Sequence, residues 1–313
     1  MTVDIPVVEL SGSGDKLPVI GFGSGTKWRI AKATGETKDQ YIDELAEQIT
    51  NAIDAGFTHI DAAEAYKTHQ EVGAGIRKSG VARDKIFLTD KYTPWSWAWR
   101  KGTGPLGSLE LSLKLMELDY VDLYLIHVPN ITPENAGIDL KEAWRQMEVI
   151  LERKLARNIG VSNFDVESLE YIKKIGKYQP VVNQIEFNAY MQQQSPGILK
   201  YCRDNNIVVE GYSPLAPITK GRPGPLDTVL STIAAKYHKS EMQILLRWVI
   251  QNGIVAVTTS GNVDRIKESL DIFDFELSKE DFTQITKLGQ EKKFRGFFED
   301  RYSQFDSILY DDL

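Results

Sequence analysis

Short apolar runs recur along the chain, with amphipathic segments between them. "LPVIGFG", "FTHID", "IFLTD", "VDLYLIH", "ARNIGVSN", "PVVNQIEF", "IVVEGYSP" and "IVAVTTS" each have the length of a strand and are rich in Val and Ile. Runs that are apolar almost throughout, rather than alternating, suit parallel strands covered on both faces. Between them, Ile42, Leu45, Ile49 and Ile53 mark one face of a helix. Leu106, Leu109, Leu113 and Met116 likewise mark one helix face, as do Leu140, Trp144, Met147 and Leu151. "EMQILLRWVIQNG" predicts a further helix with Gly253 as its C-terminal cap. Eight strand-like runs alternating with helices predict an α/β fold, a (β/α)8 TIM barrel, with an open doubly wound sheet as the competing arrangement. The opening "VVELSGSGDKLPVI" predicts a β-hairpin with a Gly-rich turn, placed at the barrel floor. No break in composition marks a second domain, so residues 1–313 read as one barrel domain.

Composition narrows the partners. A net charge of −7 disfavours nucleic acid or an anionic membrane surface as the main partner, while leaving room for a local basic pocket that takes a phosphate. The single cysteine, Cys202, cannot form an internal disulfide, and no Cys/His spacing suggests zinc, so no metal is expected. "MTVDIPVVEL" lacks the basic start and apolar run of a signal peptide, and no apolar stretch approaches the roughly 18 residues a membrane span needs. A cytoplasmic protein is the expectation. Monomer and dimer are equally compatible with this composition.

"GFGSGT" at 21–26 invites a dinucleotide-fingerprint reading, but its glycines are spaced G-x-G-x-G and no helix is expected directly after them. Backbone flexibility at a barrel mouth accounts for them instead.

The polar residues cluster where the runs end. Asp61 ends the second run, Asp90 and Lys91 the third, and His127 the fourth. Ser162 and Asn163 end the fifth, Gln184 the sixth, Tyr212 and Ser213 the seventh, and Thr258 to Ser260 the eighth. Barrel enzymes place their chemistry at these C-terminal strand ends. Asp61, Tyr66, Lys91 and His127 make physical sense as one unit. A phenol of ordinary pKa about 10 is a poor proton donor at neutral pH, and a neighbouring ammonium stabilises its phenolate. A carboxylate beside the lysine keeps it charged and oriented. A neutral histidine can hydrogen-bond a carbonyl oxygen. Such a set can protonate an alkoxide as it forms, which carbonyl reduction requires. Taken singly, Asp61 could be a helix cap, His127 a core histidine, and Lys91 a Schiff-base lysine as in barrel lyases. The last leaves Tyr66 unexplained.

At these residues the sequence resembles the aldo-keto reductases. "GFTHIDAAEAYKTHQEVG" resembles the family's signature around its Asp and Tyr. "LTDKY" resembles its lysine strand, "VDLYLIHVP" its histidine strand, and "IGVSNF" and "VVNQIEFN" its nicotinamide-holding strands. "GYSPL" and "TTSGNVDRIKES" resemble its nucleotide-binding end. The resemblance implies NADPH held without a Rossmann domain, with Asp61, Tyr66, Lys91 and His127 as the catalytic tetrad and Tyr66 as general acid. It further implies that Ser162, Asn163 and Gln184 bind the carboxamide and that Tyr212 stacks on the nicotinamide. Ser213 and Leu215 would line the pyrophosphate, Ser260 and Arg265 meet the 2′-phosphate, and Glu268 lie near the adenine. Thr259 stands where the family usually has lysine, Ser269 where it has asparagine, and Val128 where it commonly has tryptophan.

Val128 removes one aromatic wall of the substrate pocket, leaving Trp28 and one of Trp95, Trp97 and Trp99 to line it, with Trp95 assigned. "GTKW", "LTDKY", "VTTS" and the "NQIEF" context resemble most the fungal branch that includes conjugated polyketone (ketopantoyl lactone) and α-keto amide reductases. That implies an activated ketone flanked by a second carbonyl as substrate. A general aldehyde or xylose-type reductase and a non-enzymatic nucleotide-sensing barrel are the alternatives. The aromatic tail "FRGFFEDRYSQFDSILYDDL" either covers the substrate or packs on a barrel flank.

Overall fold

A computed structural model describes residues 4–25, 27–33, 40–94 and 104–310. β1 (Val7–Glu9) and β2 (Lys16–Pro18) form an antiparallel pair in which Val8 faces Leu17. The remaining strands are β3 (Ile20–Gly23), β4 (His59–Asp61), β5 (Phe87–Tyr92), β6 (Val121–Ile126), β7 (Ala156–Ser162), β8 (Val182–Glu186), β9 (Val208–Tyr212) and β10 (Val255–Thr258). All eight are parallel, and β10 pairs with β3 to close the barrel. The open-sheet alternative is thereby excluded.

One apolar run, "LPVIGFG", is divided between two sheets. Pro18 ends β2 opposite Val7, and the next strand begins at Ile20 inside the barrel. Proline has no N–H to give a central ladder, so the change of partner falls where the ladder would have been broken. Leu10 and Leu17 of the hairpin pack in a buried cluster with Phe87, Leu123, Val182 and Val255, near the starts of barrel strands. The hairpin therefore closes the floor with apolar side chains.

The expected helices form at Asp43–Ala55, Gly104–Met116, Leu140–Glu152 and Glu241–Gln251. Ser240 and Gln243 form a reciprocal cap on the last of these, and Gly253 follows its end in the left-handed region at φ 75°. One expectation is overturned: a short helix, Lys27–Ala33, does follow the glycine-rich stretch. No helix among the described residues is long and apolar enough to cross a membrane.

Candidate active site

Asp61 is the last residue of β4, and Lys91 lies in β5, which runs one residue further, to Tyr92. Register places Asp61 opposite Thr89, so the Lys91 backbone stands two residues nearer the mouth. Its Nζ donates to Asp61 Oδ1 and Oδ2, both at 2.7 Å, and to the Ala62 carbonyl at 2.9 Å. The lysine is wholly buried. Burial works against its charge, but Asp61 and then Tyr66 outweigh that, and its pKa ends above the ordinary lysine value.

Tyr66 ends the 3-10 turn Glu64–Tyr66 that leaves β4. Lys91 Nζ lies 5.3 Å from its ring centroid, and the His127 ring meets it edge-on with centroids 6.0 Å apart. Tyr66 is half-buried. Burial pushes its phenol above 10, and Lys91 pulls the other way. The net direction is opposite to that expected of a lysine-acidified tyrosine, because desolvation of the phenolate outweighs the ammonium. His127, following β6, is held neutral: burial first, then Lys91 and Arg29, lower it well below the usual histidine value. Its Nδ1 lies 3.3 Å from Thr93 Oγ1.

The glycines of β3 and its loop serve this site through space rather than flexibility. Gly21, Gly23 and Gly25 are not in the left-handed region. A Cβ on Gly25 would stand 2.8 Å from Tyr66 Cε2, and one on Gly21 would stand 2.5 Å from His59 Nδ1. Both must be glycine for the rings beside them to fit.

The residues assigned to the nicotinamide end are drawn together on β7, β8 and β9. Ser162 pairs with Gln184, and Gln184 with Glu210, across the sheet. Ser162 Oγ donates to the Gln184 backbone carbonyl at 2.8 Å. Asn163, at φ 59°, donates to the His127 carbonyl at 2.9 Å and to Ser162 Oγ, and its Oδ1 accepts from Tyr212 Oη at 2.8 Å and Gln194 Nε2 at 2.9 Å. Tyr212 is half-buried, with the Phe297 ring edge-on at 5.6 Å. Ser213 and Leu215 follow it, half-buried, toward the 216–219 turn. At the other end, the Ser260 carbonyl accepts from Gln48 Nε2 at 2.8 Å, and the helix Val263–Glu268 carries an exposed Arg265 and a half-buried Glu268. The guanidinium of Arg265 is of a type that can meet a phosphate bidentately.

Of the substrate-lining assignments, Val128 is buried beside His127. Trp28 is 4% exposed, and its indole donates to Gln48 Oε1 at 2.7 Å. Trp95, with Trp97 and Trp99, lies outside the described residues. The tail crosses the mouth. Glu186, at the end of β8, accepts from the backbone of Gly296 at 2.8 Å and Phe297 at 3.2 Å, and Tyr302 Oη donates to the Asn163 carbonyl. A groove of about 630 Å³ lies at the opposite end, between the hairpin and residues such as Arg203, Asn206 and Asn252, away from the tetrad.

Sequence reasoning missed Glu186, Gln194 and Glu210. The two glutamates had a signal: Glu186 follows Gln184 by two, and Glu210 precedes Tyr212 by two, so each shares the inward face of its strand with a residue already singled out. Glu210 is wholly enclosed, and burial, then Asp61, push its carboxyl up to about 7.

A closed barrel with a buried Asp–Lys pair under a tyrosine and a neutral histidine defines a class of carbonyl-reducing enzymes. The aldo/keto reductase family model matches residues 20–290, and the chain belongs to that family. It is an oxidoreductase acting on carbonyls. It is 43% identical over 285 residues to an NADPH-dependent alpha-keto amide reductase of Saccharomyces cerevisiae, covering 89% of each chain. It is 39% identical to a glyoxal reductase of Bacillus subtilis, covering 80% of this chain and 86% of that one. Among solved structures, a Bombyx mori aldo-keto reductase in complex with NADP superposes with a TM-score of 0.81 at 32% identity, covering 98% of this chain and all of that one.

Proposed function

We propose that this enzyme uses NADPH to reduce activated ketones, those flanked by a second carbonyl as in conjugated polyketones, ketopantoyl lactone, α-keto amides and α-keto esters. The observation that carries the mechanism is the position of Lys91, which binds Asp61 on one side and faces the Tyr66 ring on the other. When bound, the dihydronicotinamide supplies the hydride. His127, being neutral, can direct the substrate oxygen toward Tyr66, and Tyr66 holds the proton that the oxygen takes as the C–O double bond is lost. A phenol above 10 is fully protonated at neutral pH, so the proton is in place before the reaction. Lys91 then favours the phenolate that remains, an effect realised only as the proton leaves. Ser162, Asn163, Gln184 and Tyr212 would hold the nicotinamide end, Ser213 and Leu215 the pyrophosphate, and Ser260, Arg265 and Glu268 the 2′-phosphate and adenine.

The ketone class is supported by likeness to the yeast keto amide reductase and by a second relative named for glyoxal, itself an α-dicarbonyl. A neighbouring carbonyl makes the reacting carbon more electrophilic, so less is asked of the protein. Tyr66→Phe should lower turnover by about 10²-fold or more while NADPH binding is retained. Reduction at the wild-type rate would remove Tyr66 as the acid. Loss of dinucleotide absorbance, followed across diketones, keto lactones, keto amides and simple aldehydes with NADPH and NADH, tests the substrate. Faster turnover of simple aldehydes than of every dicarbonyl would replace the activated-ketone reading with a general aldehyde reductase.

A further inference from the structure

We propose that Glu210 is a positioning residue for the nicotinamide pocket: it takes the second amide hydrogen of Gln184, so that the Gln184 carbonyl oxygen, and not its N–H, is presented to the bound carboxamide. The proposal rests on the NADPH reading above. Gln184 Nε2 lies 2.8 Å from Asp61 Oδ2 and 2.7 Å from Glu210 Oε2. Asp61 is ionised, because both its oxygens take hydrogens from the Lys91 ammonium. An ionised carboxylate only accepts hydrogen bonds, so the Gln184 atom between the two carboxyls is nitrogen. That nitrogen has two hydrogens, and each has a partner.

Asp61 alone would leave one N–H able to turn toward the mouth. Glu210 removes that freedom, since it stands beside Gln184 in the β8–β9 register and is wholly enclosed. The groups facing it are His59 and Asp61 of β4, Lys91 of β5 and Gln184 of β8, with His59 Nε2 3.7 Å from Oε1. Either protonation state leaves Oε2 accepting, because the proton can reside on Oε1, which has no hydrogen-bond partner. Burying a carboxyl is unfavourable, so packing alone gives no reason for a glutamate here. The neighbouring Asn163 amide is already satisfied, with its oxygen accepting twice and its nitrogen donating twice. Gln184 Oε1 accepts no hydrogen bond from the described residues, and it is the acceptor left in this group.

The test compares binding of NADP+ with binding of its 3-acetylpyridine analogue, in which a methyl replaces the carboxamide nitrogen, by quenching of tryptophan fluorescence. The wild-type protein should prefer NADP+ by roughly tenfold, the value of one hydrogen bond. In Glu210→Met, which keeps the volume but accepts nothing from an amide, the preference should shrink to about twofold. Glu210→Gln should restore it, because its side-chain oxygen still accepts. A tenfold preference persisting in Glu210→Met overturns the proposal, as does a wild-type protein that does not discriminate. Should Glu210→Met fail to fold, hydrogen exchange of the Gln184 side-chain amide in wild-type protein, assigned by its loss in Gln184→Met, decides. Slow exchange of both hydrogens supports the assignment, and rapid exchange of either overturns it. A wild-type protein that binds neither dinucleotide instead overturns the NADPH reading, and the role of Glu210 goes with it.

Discussion

Lys91 carries an ammonium into an interior that excludes water, and it stays charged because Asp61 accepts two of its hydrogens and the Ala62 carbonyl the third. Its influence on Tyr66, whose ring centroid lies 5.3 Å from Nζ, is first one of charge, with a smaller hydrogen-bond contribution. Such an influence depends on where the ring sits, and Gly25 helps set that place. In Gly25→Ala the new methyl would stand 2.8 Å from Cε2 and 2.9 Å from Cζ of Tyr66, so the ring must move. A displacement near 1 Å can lower turnover by about 10²-fold. We expect Gly25→Ala to lose at least about tenfold in kcat with a melting temperature close to wild type, and an unchanged kcat would show that the ring tolerates the methyl. That Asp61, Tyr66, Lys91 and His127 would lie together was legible because they stand at or just beyond strand ends with chemically complementary side chains. Glu210 was passed over because a carboxyl inside an apolar run reads as an interruption until its cross-strand neighbour is known.

Elements met their expectations where the signal was local. The helices over 43–55, 140–152 and 241–251 follow from periodicity and caps, which depend on residues a few positions apart. The tail did not, since an aromatic segment fits a flank as well as a mouth. What holds it over the mouth is Glu186, whose two oxygens accept from Gly296 and Phe297. Glu186→Ala would leave both N–H groups without their acceptor. Hydrogen exchange at residues 296 and 297 should then quicken by about tenfold or more, and KM for the ketone should rise. Equal exchange in the variant and the wild type would show that the strap is held by Tyr302 and Arg295 instead. Phe297 also meets the Tyr212 ring edge-on.

Among the described residues, burial outweighs the hydrogen bonds of three enclosed glutamates and lifts Glu64, Glu186 and Glu210 each from 4.5 to about 7. Between those values the folded chain keeps protons that the unfolded chain has released. These groups therefore favour folding most at or below about pH 4.5, and that contribution is lost as pH rises through about 7. His59, lowered to about 4 by burial, acts in the opposite sense, adding stability as pH rises to about 6.5. A difference measurement separates the two. Glu64→Gln keeps an acceptor for the Thr93 N–H, at 3.0 Å in the wild type, but has no charge to bury. Its melting temperature relative to wild type should rise from about pH 5 to about pH 8, and a relative value that fell over that range would reverse the assignment of Glu64.

Taken by itself, the sequence determined the alternation of strands and helices, the hairpin, and the set of polar residues at the strand ends. Each is written in residues close together along the chain, where period and chain direction suffice. Closure of β10 onto β3, the seating of the tail on Glu186 and the chain of contacts from Glu210 through Gln184 and Asp61 to Lys91 were decided only by the tertiary structure. Those features join residues far apart in sequence, and their energies come from burial and cross-strand register, which exist only once the barrel has closed.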